Sequence, residues 1–369
     1  MKLTSLLTLS LLLATMFGHA QDANISEVWN KTVDKGIAFL RQSQSPDGSF
    51  SGERNIGITG LVVTGLLSTG KISVDDPMMV KALAFIEKQV DPQAGHIAGK
   101  SRNLRNYITA VNMMALAAAN KSGKYNDILK GSAKFITGLQ WDEAMGSTPT
   151  DPYYGGFGYD GKVRPDLSNT SFAIEALHAA GIPSTDPVFK RASIFISRCQ
   201  NRKGEEQDQT WPGQANDGSF IYVIPDKKKE FNKKDTAPGA GYASITYAGV
   251  KSMIYAGVSK DDPRIKQALN WIKNNYSVEV NSGQPKGREQ SGLYYFYHTM
   301  SKALSILALD SLEDDKGVKH DWRKDLTLHL AKVQAADGSW SNQMDRFMEG
   351  DPNLVTGFAL MALSYTKPK

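Results

Sequence analysis

Two apolar segments of this 369-residue chain carry side chains that could do acid–base chemistry. Tyr247 precedes Lys251 by four residues, and His298 precedes Lys302 by the same interval. Residues four apart lie on one face of an α-helix, so each pair would act from a single surface. Imidazole and phenol groups transfer protons, and ammonium groups bind polar parts of a ligand. We therefore predict a pocket in which His298 or Tyr247 transfers a proton without a metal.

Neighbouring polar residues extend this predicted site. Tyr297 completes the set of catalytic candidates with His298 and Tyr247. The ligand-binding candidates lie near the starts of three apolar segments: Lys251, Lys302, Tyr295, Asp345, Arg346 and Glu349. A polar network that satisfies helix ends and buried hydroxyl groups is the competing interpretation of these residues. For Asp351, which precedes Pro352, we expect a helix cap.

The segments that carry these residues belong to a repeat. Turns with the pattern Gln…Gly-x-aromatic recur at 42–50, 214–220 and 334–340, and weaker copies occur at 89–97 and 140–159. A short motif that returns between apolar runs every 50–60 residues or so, about six times in all, is the signature of a repeat architecture.

Each predicted repeat combines two kinds of helix. The first is amphipathic and follows an Asp-Pro pair at 76–77, 186–187 or 262–263, where Asp caps free amides and Pro occupies the first helical position. The second is rich in Ala, Gly, Thr and Leu, and we predict it at 56–67, 107–119, 171–180, 244–256, 297–309 and 354–365. Amphipathic helices suit an outer layer, and helices that are apolar on most sides suit an inner one. The chain is thus predicted to be all-α, with inner helices ringed by outer ones.

Residues 1–20 are predicted to be a secretory signal peptide rather than part of the fold. Lys2 supplies a positive charge, residues 3–17 form an uncharged and mostly apolar run, and small residues precede a cleavage site after Ala20. The apolar run is too short to span a membrane comfortably. We expect export, to the periplasm or beyond the cell, and a mature chain, 21–369, with one domain and no integral membrane segment.

Composition limits the classes of function. With 41% hydrophobic and 22% charged residues, the chain can bury a large core and is not disordered as a whole. The net charge of +5 is mild, and the Lys-rich run at 227–234 lacks interleaved aromatic residues, so no nucleic-acid partner is predicted. Cys199 is the single cysteine, and we interpret it as a small hydrophobe at a helix end. Residues 155–159 lack the Lys-Ser/Thr of a phosphate loop, so we predict no cofactor.

The repeat turns resemble the Gln-Trp repeats of squalene–hopene and oxidosqualene cyclases. Gln334 with 338–340 carries this resemblance, and Lys35, Phe39 and the turn at 44–50 fit the fuller pattern loosely. The resemblance covers nearly all of the chain after the signal peptide. It implies an (α/α)6 toroid, closed rather than an open solenoid, whose central cavity binds an apolar, isoprenoid-like ligand.

Two further resemblances are narrower. Residues 296–299 are similar to a segment of protein prenyltransferase β subunits, in which the histidine at the position of His298 ligates zinc. The regions 242–263, 292–302 and 349–354 resemble exported bacterial proteins described as squalene-cyclase-like or prenyltransferase-like, a resemblance that implies no particular activity.

Residues essential to three toroid chemistries are missing from the sequence. No Asp-x-Asp-Asp motif supplies the acid of alkene-protonating cyclases, and we interpret the nearest run, 313–315, as an exposed loop. Residues 239–243 offer neither the Asp nor the Cys that prenyltransferases use for zinc, and His298 alone is not a metal site. Residues 203–207 lack the Cys of a complement-type thioester.

The leading hypothesis is an exported cyclase- and prenyltransferase-like toroid that binds a small apolar ligand. Whether it also transforms that ligand is left open by the sequence, as is its oligomeric state. A carbohydrate-active toroid, hydrolase or lyase, is the first alternative, and its candidate carboxylates are Asp160, Asp166, Asp345 and Glu349. A non-catalytic interaction scaffold is the second.

Overall fold

A computed structural model describes the backbone of residues 4–52, 55–204, 207–210, 214–225 and 239–368, and side chains from residue 24 onward. The side chains of the predicted signal peptide, 1–20, and the Lys-rich run, 227–234, lie outside the described residues.

The described residues form twelve α-helices that alternate between an outer and an inner layer. The outer helices are α1 (Thr4–Ser43), α3 (Pro77–Glu87), α5 (Asn126–Thr137), α7 (Pro187–Arg198), α9 (Pro263–Asn274) and α11 (Trp322–Val333). The inner helices are α2 (Ile56–Ser68), α4 (Arg105–Ala119), α6 (Leu167–Ala179), α8 (Ala243–Tyr255), α10 (Leu293–Ile306) and α12 (Pro352–Ser364). Each inner helix contacts the next, and α12 contacts α2, so the inner ring closes. The fold is the predicted all-α (α/α)6 toroid.

Burial separates the two layers as their composition predicted. Every residue of α8 from Ala243 to Met253 is buried, so this inner helix is enclosed on all sides. The outer helix α5 buries four residues, Leu129, Ser132, Ala133 and Ile136, which form one stripe at helical spacing.

Asp-Pro pairs begin the outer helices in the predicted way. Carboxylate oxygens of Asp76, Asp186 and Asp262 accept the backbone N–H two residues further on, at 2.8–2.9 Å. Asp351 does the same for α12, where it accepts from Asn353 and Leu354. Each Asp satisfies amides that the first helical turn leaves free, and each Pro takes a position that needs no donor.

A glutamine links each regular repeat turn to the next outer helix. Gln44 Nε2 donates to the carbonyl of Gly48, in its own turn, at 3.1 Å and to that of Met78, at the start of α3, at 2.8 Å. Equivalent pairs of bonds, all between 2.9 and 3.1 Å, are made by Gln140, Gln200 and Gln334.

The third repeat turn corrects the sequence pattern. The pattern began at Gln214, but Gln200 makes the two bonds, one to Gly218 and one to Arg264. An insertion separates Gln200 from its turn and carries Gln214, a chance match in spacing.

A threonine links each turn to the inner helix that follows. The backbone N–H of the residue after the turn donates to a buried Thr hydroxyl at 3.0–3.2 Å. The pairs are Phe50 with Thr59, Ile97 with Thr109, Phe157 with Thr170, Phe220 with Thr246, and Trp340 with Thr356. These bonds fix the starts of five inner helices, all except α10, against their turns. The starts of the inner helices together form one end of the ring.

Helix α1 closes the outer layer. The Trp29 indole N–H donates to the carbonyl of Leu363 at 2.8 Å, and Gln334 Nε2 donates to that of Thr32 at 3.0 Å. Helix α1 therefore packs against α11 and α12, as expected for a closed toroid and not for an open solenoid.

Two inner helices begin four residues earlier than predicted. Helix α6 begins at Leu167 rather than 171, and α10 begins at Leu293 rather than 297. The capping residues, Asp166 for α6 and Glu349 for α10, lie outside the apolar runs that we used to place the helices. The first turn of each helix was therefore assigned to the preceding loop.

The run at 313–315, which we expected to be an exposed loop, belongs to a short hairpin. Strands β1 (Leu312–Glu313) and β2 (Lys319–His320) pair antiparallel. Asp314 organises the turn by accepting the backbone N–H groups of Lys316 and Val318 at 2.9 and 2.8 Å. Strands of two residues are too short to leave an alternating pattern in sequence.

Candidate functional site

A cavity of about 320 Å³ opens at the end of the ring where the six inner helices begin. Every inner helix contributes to its lining. Most of the lining is apolar or aromatic, and includes Ile56, Ile58, Leu61, Tyr107, Ile108, Phe172, Ile245, Leu354 and Phe358. A concave, mainly apolar site with a few polar groups is the usual form of a small-molecule site.

Three rings form what we call the aromatic floor of the cavity: Phe172, Tyr295 and Phe358. The ring centroids of Phe172 and Tyr295 are 5.8 Å apart, and those of Tyr295 and Phe358 are 6.2 Å apart. The residues one turn deeper on α6 and α10 are Glu175 and His298, so the floor separates the cavity from the polar interior of the ring.

Beneath the floor lies an ionic cluster of Glu175, Lys251 and Lys302. Both ammonium groups hydrogen-bond the one carboxylate, Lys251 at Oε2 and Lys302 at Oε1. Burial alone would raise the pKa of Glu175, but the two lysines hold it well below its usual value. Burial lowers the pKa of Lys251, whereas for Lys302 the carboxylate outweighs burial and raises the pKa. Glu175 and Lys302 therefore form the charged pair, and Lys251 is the lysine that is costly to keep protonated.

His298 lies beside the ionic cluster and not in the cavity. Its ring is 5.8 Å from that of Phe358, and Nε2 is 4.0 Å from a Glu175 oxygen. Neither ring nitrogen has a hydrogen-bond partner among the described residues. Burial lowers the pKa of His298 to about 3, so the imidazole is neutral at physiological pH.

The other catalytic candidates, Tyr247 and Tyr297, do not join His298 in one pocket. The Tyr297 hydroxyl donates to the carbonyl of Val278 at 3.0 Å and lies 2.8 Å from His329 Nε2 on α11, so it points to the outer layer. Tyr247 is buried, with its ring 5.9 Å from that of Phe296. Neither tyrosine belongs to the described lining of the cavity.

The i, i+4 lysines do converge, but on a partner that the sequence analysis missed. Lys251 and Lys302 meet at Glu175, a carboxylate in an otherwise apolar inner helix. The signal was present in the sequence, because a charged residue in such a helix must be paired or face a cavity.

Of the acidic candidates, Glu349 lines the cavity. Its Oε1 accepts the backbone N–H groups of Tyr294 and Tyr295 at 3.0 and 2.9 Å, and its Oε2 accepts from Asn342 at 2.7 Å. It thereby caps α10, whose own N-cap residue is Gly292. Burial raises the pKa of Glu349 to about 7 despite these bonds.

Asp345 and Arg346 lie outside the cavity lining. Asp345 accepts the backbone N–H of Gly350 at 2.9 Å, and the Arg346 guanidinium lies 5.1 Å from the centroid of the Phe347 ring. Asp160, a candidate of the carbohydrate interpretation, accepts backbone N–H groups in its own turn, at Lys162 and Val163.

A second polar group beside the cavity, formed by Asp166, Tyr222 and Tyr159, was not predicted from the sequence as a ligand-binding site. Asp166 caps α6 by accepting from the backbone and side-chain N–H groups of Asn169 at 2.8 and 2.7 Å. Its carboxylate also acts electrostatically on Tyr222, whose hydroxyl lies 3.3 Å from the Tyr159 hydroxyl. Burial raises the pKa of Asp166 to about 6. Tyr222 and Tyr159 come from loops distant in sequence, so no local pattern could predict that they meet.

Among the described residues, no group of three His, Cys, Asp or Glu side chains is placed to hold a metal ion. Within the same part of the chain, no helix has both the length and the apolarity needed to cross a membrane.

No protein-family model and no curated protein matches this sequence. Solved structures do match. The type II terpene cyclase MstE from Scytonema, without ligand, aligns with a TM-score of 0.54 at 12% identity, over 93% of this chain and 99% of the cyclase. A variant of MstE in complex with its substrate, geranylgeranyl dihydroxybenzoate, aligns with a TM-score of 0.57 at 12% identity, over 94% and 99%.

The protein geranylgeranyltransferase-I of Candida albicans, complexed with GGPP, aligns with a TM-score of 0.55 at 13% identity, over 90% of each chain. These similarities show that the chain has the α/α toroid fold of terpene cyclases and protein prenyltransferases. At such low identity they show the fold alone.

Proposed function

We propose that this protein is exported and that it binds an isoprenoid-like ligand in the cavity at the open end of its ring. The observation that carries the proposal is the lining: all six inner helices contribute side chains to it, and most of these are apolar or aromatic. Burying an apolar chain against such a surface is favourable by about 25 cal/mol per Å². Two solved toroids of the same fold hold geranylgeranyl compounds, which supports this choice of ligand.

Binding, rather than a defined reaction, is what the geometry supports best. Proton transfer by His298 would require the imidazole to reach the ligand, but His298 is absent from the described lining, to which its neighbour Phe358 belongs. Tyr247 and Tyr297 are likewise absent from the described lining. Their catalytic roles remain predictions to which the site lends no geometric support.

The test is equilibrium dialysis of the mature protein with radiolabelled geranylgeraniol. Ile58→Trp fills the cavity and is expected to weaken binding at least about tenfold, because the indole occupies space that the isoprenoid chain needs. Thr137→Trp adds the same side chain in a groove on the outer surface and is the matched control. Equal binding by both variants would contradict the proposal, provided thermal denaturation shows that both are folded.

Export is tested separately by Edman sequencing of the protein recovered from the cell envelope. We expect the mature chain to begin at Gln21, since the small residues that end at Ala20 form the predicted cleavage site. A chain that retains Met1 in the cytoplasm would contradict this part of the proposal.

A further inference from the structure

We propose that the ligand of this cavity ends in a neutral hydroxyl group, bound at Tyr159, and not in a diphosphate. This inference rests on the proposed function, because it identifies the polar end of the isoprenoid-like ligand. It depends on the charges of the lining, the occupation of the helix starts, and the direction of one chain of hydrogen bonds.

The lining lacks the charges that a diphosphate requires. Among the described residues that line the cavity there is no lysine or arginine, and the one ionisable carboxyl is that of Glu349. Proteins bind phosphate groups through Arg and Lys side chains, metal ions or free backbone amides. Lys251 and Lys302 lie beneath the aromatic floor, paired with Glu175. Arg105, at the start of α4, is outside the described lining and donates to the carbonyl of Ser101 at 3.0 Å.

The helix starts do not replace these missing cations. Free N–H groups at a helix N-terminus attract anions, and six such ends meet at this mouth. Three of them are already capped by carboxylates: α6 by Asp166, α10 by Glu349 and α12 by Asp351. At α8, Asn281 accepts the backbone N–H of Ser244 at 2.9 Å. At four of the six starts the first amides are thus already occupied, and at three of these a diphosphate would meet a carboxylate; α2 and α4 have no side-chain cap.

Neutral hydrogen-bonding groups are abundant on the same wall. The hydroxyl groups of Tyr159 and Tyr222 line the cavity 3.3 Å apart, and Ser168 donates to the Tyr295 hydroxyl at 3.2 Å. Burial raises the pKa of Tyr222 and of Tyr295, so both phenols keep their protons. Such a wall suits a ligand with one neutral polar end and an apolar remainder.

The two tyrosine hydroxyl groups beside Asp166 have a preferred direction. The negative Asp166 carboxylate acts on Tyr222 and favours an orientation in which the Tyr222 O–H points toward it. Tyr159 then donates its O–H to the oxygen of Tyr222. The oxygen of Tyr159 is left free to accept a hydrogen bond from the ligand. This polarity selects an O–H donor over a group that only accepts, such as an ether.

The experiment compares four matched probes in equilibrium dialysis: farnesol, farnesyl methyl ether, farnesyl diphosphate and farnesene. We expect farnesol to bind about fivefold or more tighter than the ether, the effect of one hydrogen bond, and at least about tenfold tighter than the diphosphate. Tyr159→Phe is expected to abolish the preference for farnesol over the ether. Tyr365→Phe, at the opposite end of α12, is the control that preserves it.

Each outcome decides between the two proposals. If all four probes bind equally, or if the diphosphate binds best, the inference is overturned while the isoprenoid-binding function stands. If no probe binds, the inference and the proposed function both fail.

Discussion

Two lysines share one buried carboxylate at the centre of the ring, and this arrangement determines which single substitutions the protein tolerates. Glu175 neutralises one positive charge, and Lys302 keeps a side chain 16% exposed, whereas Lys251 is fully enclosed. Removing the shared carboxylate leaves both ammonium groups without a counter-ion in a region of low dielectric. Removing Lys251 leaves the pair of Glu175 and Lys302 intact.

Glu175→Gln is therefore expected to lower the free energy of unfolding by about 3–5 kcal/mol. Lys251→Met, which removes the more costly charge and keeps its volume, should stay within about 1 kcal/mol of the wild type. Urea denaturation followed by circular dichroism measures both. Equal destabilisation by the two substitutions would show that the ionic cluster is not shared as described.

Two buried carboxyls make stability depend on pH. Burial raises the pKa of Asp166 to about 6 and that of Glu349 to about 7. In the unfolded chain both ionise near pH 4, so the folded protein binds these protons more tightly. The stability that each contributes is present below about pH 4 and is lost as the pH rises through the folded pKa, by up to about 3 kcal/mol per group.

Glu349→Gln removes one of these titrations. Relative to the wild type, the variant should become steadily more stable between about pH 5 and about pH 7 and then level off, because over that range folded Glu349 holds a proton that the unfolded chain has released. Thermal denaturation at several pH values gives this difference. A constant difference across the range would mean that Glu349 is ionised throughout.

At the scale of residues, the sequence pointed to the two lysines of the ionic cluster but not to the carboxylate that they share. Lys251 and Lys302 were singled out correctly as polar residues on inner helices. The same reasoning, that a charged residue on an inner helix needs a partner, applies to Glu175, which we overlooked. It could not have predicted that Asp166 lies close to Tyr222. Contacts between distant loops depend on how the ring closes, and local spacing carries no information about that.

At the scale of elements, the repeat turn positions everything else. Its glutamine fixes the next outer helix, and the inner-helix threonine fixes the turn. In the last turn, Gly338 has φ +92° and lies against helix α1: a Cβ there would be 2.3 Å from the Lys35 carbonyl oxygen. This turn joins the end of the chain to its beginning.

Gly338→Ala should therefore destabilise the protein for two reasons, strained backbone and a clash with α1. Gly287 is the matched control, since it has φ +80° but no atom within 4 Å of the added Cβ. We expect Gly287→Ala to cost about 1 kcal/mol, from strain alone, and Gly338→Ala at least about 2 kcal/mol more. Chemical denaturation of both variants measures the difference, and similar costs would contradict the described packing.

The sequence predicted the elements well because their signals are local. Asp-Pro caps and the Gln…Gly-x-aromatic turns each depend on a few neighbouring residues. The starts of α6 and α10 were misplaced by four residues, because Glu349 and Asp166 cap them from outside the apolar run. The third turn was assigned to Gln214 instead of Gln200, since an insertion breaks the spacing there.

At the scale of the whole molecule, closure of the ring creates the cavity. Helix α12 returns to α2, so six helix starts face one another around an apolar space. The predicted catalytic trio does not assemble there, because Tyr297 points to the outer layer, Tyr247 packs near Phe296 and His298 lies beside Glu175 beneath the floor. What does face it is a lining that is apolar below and rich in hydroxyl groups along one wall.

The most direct test of the central claim is lipid mass spectrometry of the mature protein isolated gently from its own cell envelope. The account predicts an isoprenoid lipid at near one-to-one stoichiometry, lost from Ile58→Trp and retained by Thr137→Trp. A protein free of lipid would contradict the claim that this cavity binds an isoprenoid, and so would a lipid that survives the cavity-filling substitution.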